Sequence, residues 1–387
     1  MTHDWTENFR QAVAEAEALI ADPPFEVTEQ ERAEGYDYLA GSIRSAIQAA
    51  FSYDLVHPVL MNGTHQYSRQ GLDNPDAIYF NAYLKEGVEY VIRGRRGTSA
   101  DLSFQVMSGS YSADSAAGSL MAFDDRELEK DADGNFEFTY VAEPGAKTMI
   151  VREVFNDWDT EERGTLTIER PDTIDKPARP LTEALLRKKY EVAARSLTGS
   201  ILTWFEFPKW FERQEPVNTL TAPQSTPGGL ASQRSSIGHY ELAEDEAMIV
   251  TVPRCDDCSY QGIQIGSDWY ASTDYETHQT SLTKAQAACD PDGVMRFVVS
   301  EHPPSGDPAA PYLANWLETT GHRTGSMMLR WQRLERDLAQ DADGPTLELV
   351  KLADVPDRLP HFTPLTTEEY AARIAARQRS VARRMIS

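Results

Sequence analysis

The sequence predicts an α+β protein: two related, mainly antiparallel β-rich modules with helical segments before, between and after them. Three observations carry this expectation. Apolar residues recur at helical spacing over the first fifty positions, around 181–211 and again from 366. Between those stretches the period drops to two, in short runs bounded by Gly, Pro, Asn and Asp. Landmarks of the first half also return in the second, in the same order.

The landmarks are four. Asp131-Ala132-Asp133-Gly134 precedes the alternating run Phe136–Tyr140, as Asp290-Pro291-Asp292-Gly293 precedes Met295–Val299. A tryptophan follows each, Trp158 or Trp316. A Gly-led strand ending in arginine comes next, Gly164–Arg170 or Gly325–Arg330. Upstream, Leu102–Val106 has a counterpart in Tyr260–Ile265. A period of this size indicates a duplicated domain rather than a solenoid.

Residues 1–52 are expected to be helical. Trp5, Phe9, Val13, Ala16 and Ile20 form one stripe, stopped by Asp22-Pro23-Pro24. Tyr36, Leu39, Ile43, Ile47 and Phe51 form a second, read as a packing face. Residues 53–178 form the first β-rich module, with strands near 78–84, 88–93, 102–107, 136–141, 148–154 and 165–170. A Pro-rich stretch, Pro171 to Pro180, reads as a linker leading into the helical connector 179–214. The connector ends in an aromatic patch of Trp204, Phe205, Phe207, Trp210 and Phe211. Exposed, that patch would mark a partner interface; buried, it would be ordinary core.

Residues 215–352 form the second module. It begins with a loop from Glu215 to Ser236 and has strands near 246–253, 260–265, 294–300, 325–332 and 346–351. The tail 353–387 is helical from Thr366, where Thr366-Thr367-Glu368-Glu369 supplies a cap. Each module thus has a helical lead-in able to cover one face of its sheets.

At 387 residues the chain is long enough for two domains with cores of their own. A net charge of −24 argues against nucleic acid, whose phosphates demand a segregated basic face. The one basic run, Arg373, Arg377, Arg379, Arg383 and Arg384, is read as a solvated helix face. No window is apolar enough for a membrane span, so no membrane partner is expected. Met1–Trp5 lacks a secretory leader pattern, and three cysteines fit a reducing compartment. A cytoplasmic protein is expected, a homo-oligomer being compatible with the composition.

Familiar cofactor motifs are missing. There is no phosphate loop, dinucleotide fingerprint or Gly-x-Ser-x-Gly elbow. The Asp-x-Asp-Gly segments lack the late glutamate of a calcium loop and are read as hairpin turns, a third copy being Asp341-Ala342-Asp343-Gly344. Cys255-x-x-Cys258 lacks a second ligand pair for zinc and is read as two buried or half-buried thiols at a strand start. No cofactor and no metal are expected.

Histidines offer the best chemistry. His278, His302 and His322 fall in loops beside the landmarks of the second module, and an imidazole carries protons near neutral pH. Asp157 stands in the first module where the second has Asn315, and no histidine appears in the matching loop. Any active site is therefore expected in the second module, with His278, His302, His322 and Asp274 as catalytic candidates. Tyr260, Tyr275, Asn315 and Trp316 are candidate pocket walls, and Arg254 and Arg330 candidate anchors for a substrate carboxylate. Each has a plainer role open to it: a surface histidine, a core aromatic, an arginine paired with one of many acids.

The succession Ser281-Leu282-Thr283, Ala285-Gln286-Ala287, Asp292-Gly293, Val298-Val299, Asn315-Trp316-Leu317 and Gly321-His322-Arg323 resembles actinobacterial proteins of the domain-of-unknown-function 1214 family. Asn74-Pro75-Asp76 and Arg93-Gly94-Arg95-Arg96-Gly97 are similar to its full-length members. The resemblance spans most of the chain from Tyr36. It implies a β-rich double module and carries no general activity or cofactor. At Cys255–Gly262 the chain departs from the pattern, with a small residue where similar proteins place a second bulky aromatic.

Taken together, these features point to a cofactor-independent enzyme acting on a small sugar-like or hydrophobic molecule by His/Asp acid-base chemistry. It would be a lyase (hydratase or dehydratase) or a hydrolase. The alternatives are a non-catalytic ligand-binding or scaffold protein, and a subunit that docks a partner through the aromatic patch.

Overall fold

The computed structural model describes residues 5–178, 180–210, 212–334 and 336–384. They form a mixed α+β structure, mainly β, whose sheets are antiparallel but for one short parallel pairing between Val294–Ser300 and Trp316–Glu318. The first module's larger sheet runs in the order Met61–Thr64, Ala77–Tyr83, Thr148–Val154, Asp101–Met107, Ser119–Asp124. Its smaller sheet runs Asn135–Val141, Glu89–Arg95, Thr165–Glu169. In the second module the larger sheet runs Ser281–Thr283, Tyr260–Gly266, Thr324–Gln332, Gln233–Glu241. The smaller one runs Trp316–Glu318, Val294–Ser300, Glu246–Pro253, Thr346–Lys351.

Both modules therefore share a strand order. Counted from Ala77–Tyr83 in one and Gln233–Glu241 in the other, and leaving aside the short second-module strands at 312–318, the larger sheets read first, sixth, third, fourth. The smaller ones read fifth, second, seventh. Each module packs its two sheets around its own apolar core, with Phe104, Met149 and Val151 in the first and Ile263, Met327 and Leu329 in the second.

Two of the four sequence landmarks match this order. Asp101–Met107 and Tyr260–Gly266 are both third strands, and Asn135–Val141 and Val294–Ser300 are both fifth, each preceded by a turn whose glycine, Gly134 or Gly293, has a positive φ. The other two do not match. Thr165–Glu169 is the seventh strand, on a small-sheet edge, whereas Thr324–Gln332 is the sixth, inside the larger sheet. Trp158 follows the sixth strand, while Trp316 precedes it. The position of Thr324–Gln332 is held in the first module by Thr148–Val154, and the buried pairs agree. Arg152 Nη1 donates to Gln105 Oε1 (2.6 Å), and Arg330 donates to Gln264 at the same cross-strand offset. A Gly-led apolar run ending in arginine was too common a pattern to fix strand identity.

The helices depart from the expectation of one lead-in per module. α1 (Glu7–Ala21), α2 (Glu29–Ser52) and α3 (Glu183–Trp210) pack on one another, joining Ala16, Ile20, Leu39, Ala46, Leu197, Ile201 and Phe205 with Trp269 of the second module. On α2 the buried face is Gly35, Tyr38, Leu39, Ser42, Ala46 and Ala50. Tyr36 and Phe51 of the expected stripe are 43% and 37% exposed. Small residues rather than bulky ones let α2 sit close to its neighbours.

Trp204, Phe205 and Phe207 pack against Tyr111, Tyr270 and Trp269, within the molecule. A partner-docking role for that part of the patch loses its basis; the side chain of Trp210 and all of Phe211 lie outside the described residues. The expected loop 215–236 gives way to a strand at Gln233. Asp341 to Asp343 belong to a one-turn helix, Gln340–Asp343, rather than to a hairpin turn.

The C-terminal helix Thr367–Arg384 is capped as expected, Thr366 Oγ1 accepting from Glu369 N and Glu369 accepting from Thr366 N. Its basic run is not a solvated face. Arg377 and Arg384 are 5% and 1% exposed, and their guanidinium groups lie 4.5 and 4.0 Å from the Trp158 ring centroid. The helix thereby crosses both modules, since Arg377 donates to the Tyr275 and Ser281 carbonyls and Arg384 to that of Pro75. No helix of the described residues is long and apolar enough to cross a membrane.

Candidate active site

A cavity of about 550 Å³ lies between α2 and loops of the second module. It gathers all four catalytic candidates, Asp274, His278, His302 and His322, from segments nearly fifty residues apart. Glu34, Asp37 and Tyr38 of α2 close one side, and Tyr67, Arg69 and Trp269 another.

Local sequence explains how α2 gets there. Thr28 and Glu31 form a reciprocal capping box that starts the helix. Glu34 and Tyr38, one turn apart, then share a face. Trp269 anchors that turn by donating from Nε1 to the Glu31 carbonyl at 2.9 Å. Its ring lies where a side chain on Gly35 would have to go. Opposite, Thr320 and Gly321 both have positive φ and turn the chain sharply. That turn sets His322 against α2, while Gln30 Nε2 donates to the Thr320 carbonyl.

Two histidines are paired with carboxylates. His322, 2% exposed, places Nε2 2.6 Å from Glu34 Oε2 and donates from Nδ1 to the Thr319 carbonyl at 2.8 Å. Burial works to lower its pKa, but the hydrogen bond and charge of Glu34 leave it raised. His278 Nδ1 sits 2.8 Å from Glu318 Oε2, and that hydrogen bond raises its pKa against a smaller effect of burial. Engaging Nδ1 leaves Nε2 of His278 as the nitrogen able to exchange a proton with a ligand.

The other candidates differ. Asp274 accepts from the amides of Glu276 and Thr277 and from the Thr277 hydroxyl. Burial pushes its pKa up, but those bonds more than offset it and hold the carboxyl below its usual range. It is therefore a fixed, ionised acceptor. His302 is at the exposed rim, 3.9 Å from Glu244.

Structure separates the predicted wall residues from this cavity. Tyr260 is buried between the modules, donating to Asp76 Oδ2 at 2.6 Å. Arg330 lies near it, bound to Gln264 and to the Leu72 carbonyl. Tyr275 is buried beside Trp158 and Val381. Trp316 belongs to a core with Tyr312 and Tyr370, and Asn315 ties together the backbone of Ala288 and Arg296. Arg254 pairs with Asp256 and the Lys284 carbonyl. Tyr260, Trp316 and Arg330 lie on strands, where sheet packing claims them, while Tyr275, Asn315 and Arg254 are held by contacts in loops outside the cavity. Cys255 and Cys258 are both buried beside Lys284, just ahead of the strand Tyr260–Gly266.

Three residues of the cavity carried no sequence signal of their own. Glu34 lies on a helix rich in acids, Glu318 in the segment that bears Trp316, and Arg69 in a turn of the first module. Arg69 donates from Nε to the Gln66 carbonyl (3.0 Å) and from Nη1 to the Ser272 carbonyl (3.1 Å). Carbonyl partners hold the guanidinium in the wall, where its charge also acts on Glu34, Asp73 and Asp274. Among the described residues, no group of three or more His, Cys, Asp or Glu is arranged to hold a metal ion.

No family model matches the chain, and neither does any curated protein. Among solved structures, an uncharacterised protein of Burkholderia cenocepacia is similar at 29% identity and a TM-score of 0.79, over 90% of this chain and 96% of that one. A Vibrio parahaemolyticus protein is 13% identical with a TM-score of 0.44, over 82% of this chain and 98% of that one. The first likeness concerns the fold, and the description of that protein names no activity.

Proposed function

We propose that the cavity is the active site of a cofactor-independent enzyme that moves a proton on a small, hydroxyl-bearing molecule, as a lyase (hydratase or dehydratase) or a hydrolase. The observation that carries this is the His278–Glu318 pair at 2.8 Å on the cavity wall. A carboxylate on Nδ1 fixes the tautomer and stabilises the imidazolium that forms when Nε2 accepts a proton. Asp274, held ionised, would accept a hydrogen bond from a substrate hydroxyl. Arg69 would stabilise negative charge developing on the substrate. His322 has both nitrogens engaged, so its part is to fix α2 against the loop rather than to shuttle protons.

Membership of the domain-of-unknown-function 1214 family, descent of the two modules from one duplicated unit, and a cytoplasmic setting belong to the same proposal. Their support is the quoted motifs, the shared strand order and the low cysteine usage.

The test begins with a thermal-shift screen of polyols, sugars, terpenoid and aromatic alcohols and carboxylates, because a native-state ligand raises the midpoint by mass action. A hit is then assayed for turnover across pH with wild type and His278→Gln. The expected result is loss of turnover by about 10²–10⁴-fold, the usual worth of a general acid-base group. A pH profile unchanged in His278→Gln would remove the catalytic assignment. Ligand binding without turnover at any pH would instead favour a binding or scaffold protein.

A further inference from the structure

A second cavity, about 720 Å³, lies between α2, α3 and the first module. It is separate from the candidate active site, which uses the N-terminal half of α2, whereas this one uses Ser42, Ala46 and Ala49 further along. Ser196 and Gly199 of α3 complete the helical wall. Met107, Ile150 and Trp204 supply apolar surface facing it. Its volume falls within the range of small-molecule sites.

Two observations say what it would hold. Ser42 is 6% exposed, and its hydroxyl, beside that of Tyr38, keeps hydrogen-bonding capacity that a ligand's polar atom would use. The charge of the wall is the second. The chain carries 61 Asp and Glu against 37 Lys and Arg. Yet among the described residues no carboxylate lines this cavity, and the one charged side chain in its wall is Arg195, at its exposed mouth. Gly199 adds to the picture: nothing lies within 4 Å of where its Cβ would sit, and a helix interior disfavours glycine.

We propose that this cavity binds an apolar molecule carrying a single negative charge. Its hydrocarbon part would lie against Met107, Ile150 and Trp204, its anionic end would meet Arg195, and Ser42 would bond one of its oxygens. A positive side chain in an otherwise uncharged, largely apolar wall selects such a molecule over a neutral alcohol of the same length, and over a polyanion.

Isothermal titration of the full chain with decanoate, octanoate and decanol tests this. Decanoate should bind with one-to-one stoichiometry. Octanoate should bind more weakly, by about fourfold for each methylene lost. Decanol should be weaker than decanoate, and Arg195→Gln should erase that difference. Gly199→Phe, which grows into the empty space, should abolish binding of both, with Ala49→Leu as a second filling variant should the first not fold. His278→Gln should leave decanoate binding unchanged, which separates this site from the candidate active site. Absence of decanoate binding, equal affinity for decanol, or undiminished binding in a folded filling variant would each overturn the proposal.

Discussion

Glu34 on α2 and His322 in the second module, 288 positions apart, share a 2.6 Å hydrogen bond that ties the helical layer to the loops of the candidate active site. With Thr319 accepting from Nδ1, the ring makes both of its bonds as an imidazolium facing a carboxylate. Glu34 is held below its ordinary pKa: burial pushes upward, and the bond and charge of His322 outweigh it.

The sign of the pH dependence follows. His322, raised when folded, contributes stability that is full below its unfolded value and lost as pH rises through the folded one. Glu34, depressed when folded, contributes stability that is full above its unfolded value and lost as pH falls through the folded one. Both contributions are in force between the unperturbed values of 4.5 and 6.5. Glu34→Gln should cost about 1–2 kcal/mol there, the low end for a charged hydrogen bond because Glu34 is partly in solvent. Melting both proteins across the pH range should show the gap closing toward the alkaline side. A gap independent of pH would refute the ion pair.

Gly35→Ala offers a test by sign. In an exposed helix the change stabilises by up to about 1 kcal/mol. Here the new methyl would strike the Trp269 indole, and overpacking should cost about 1–3 kcal/mol. Urea denaturation distinguishes the two. A stabilised variant would mean that α2 does not rest on Trp269.

Arg384 is expected to matter more than its place at the end of a basic run suggests. Asp76 is buried and accepts from Trp158 Nε1 at 2.8 Å and Tyr260 Oη at 2.6 Å; burial pushes its carboxyl pKa up, and those bonds with the charges of Arg384 and Arg377 only partly offset it. Removing one partner of a buried charge set costs about 3–5 kcal/mol. Arg384→Ala should therefore destabilise strongly in denaturant melts, while Arg379→Ala should be near neutral. Equal, small effects would restore the solvated-face description.

The three thiols should separate by access. Cys289 is exposed, whereas Cys255 and Cys258 are buried. A disulfide reagent should label one thiol rapidly in the native protein and the remaining two only on unfolding, with Cys289→Ser removing the rapid phase. Two or three rapid equivalents would show that the segment 255–258 opens readily.

For the longer helices and strands it named, the sequence alone determined element type, and most boundaries to within a residue or two; the strands Met61–Thr64, Ser119–Asp124 and Gln233–Glu241 were not legible in it. Strand and helix periods are local properties of a side-chain pattern: Glu246–Pro253, Val294–Ser300 and Thr346–Lys351 were legible from alternation, as was the capped start of the C-terminal helix. Loop histidines of the second module were legible too, because chemistry-bearing residues outside a regular pattern stand out. Tertiary structure alone decided which partners they meet. Glu34 and Arg69 reach the cavity from distant parts of the chain, and nothing within a few residues of either marks it. The same limit explains why Arg377 and Arg384 were read as solvated and Tyr260 and Trp316 as pocket walls. Charge and aromaticity are written in the sequence, but burial depends on what the folded chain lays across them.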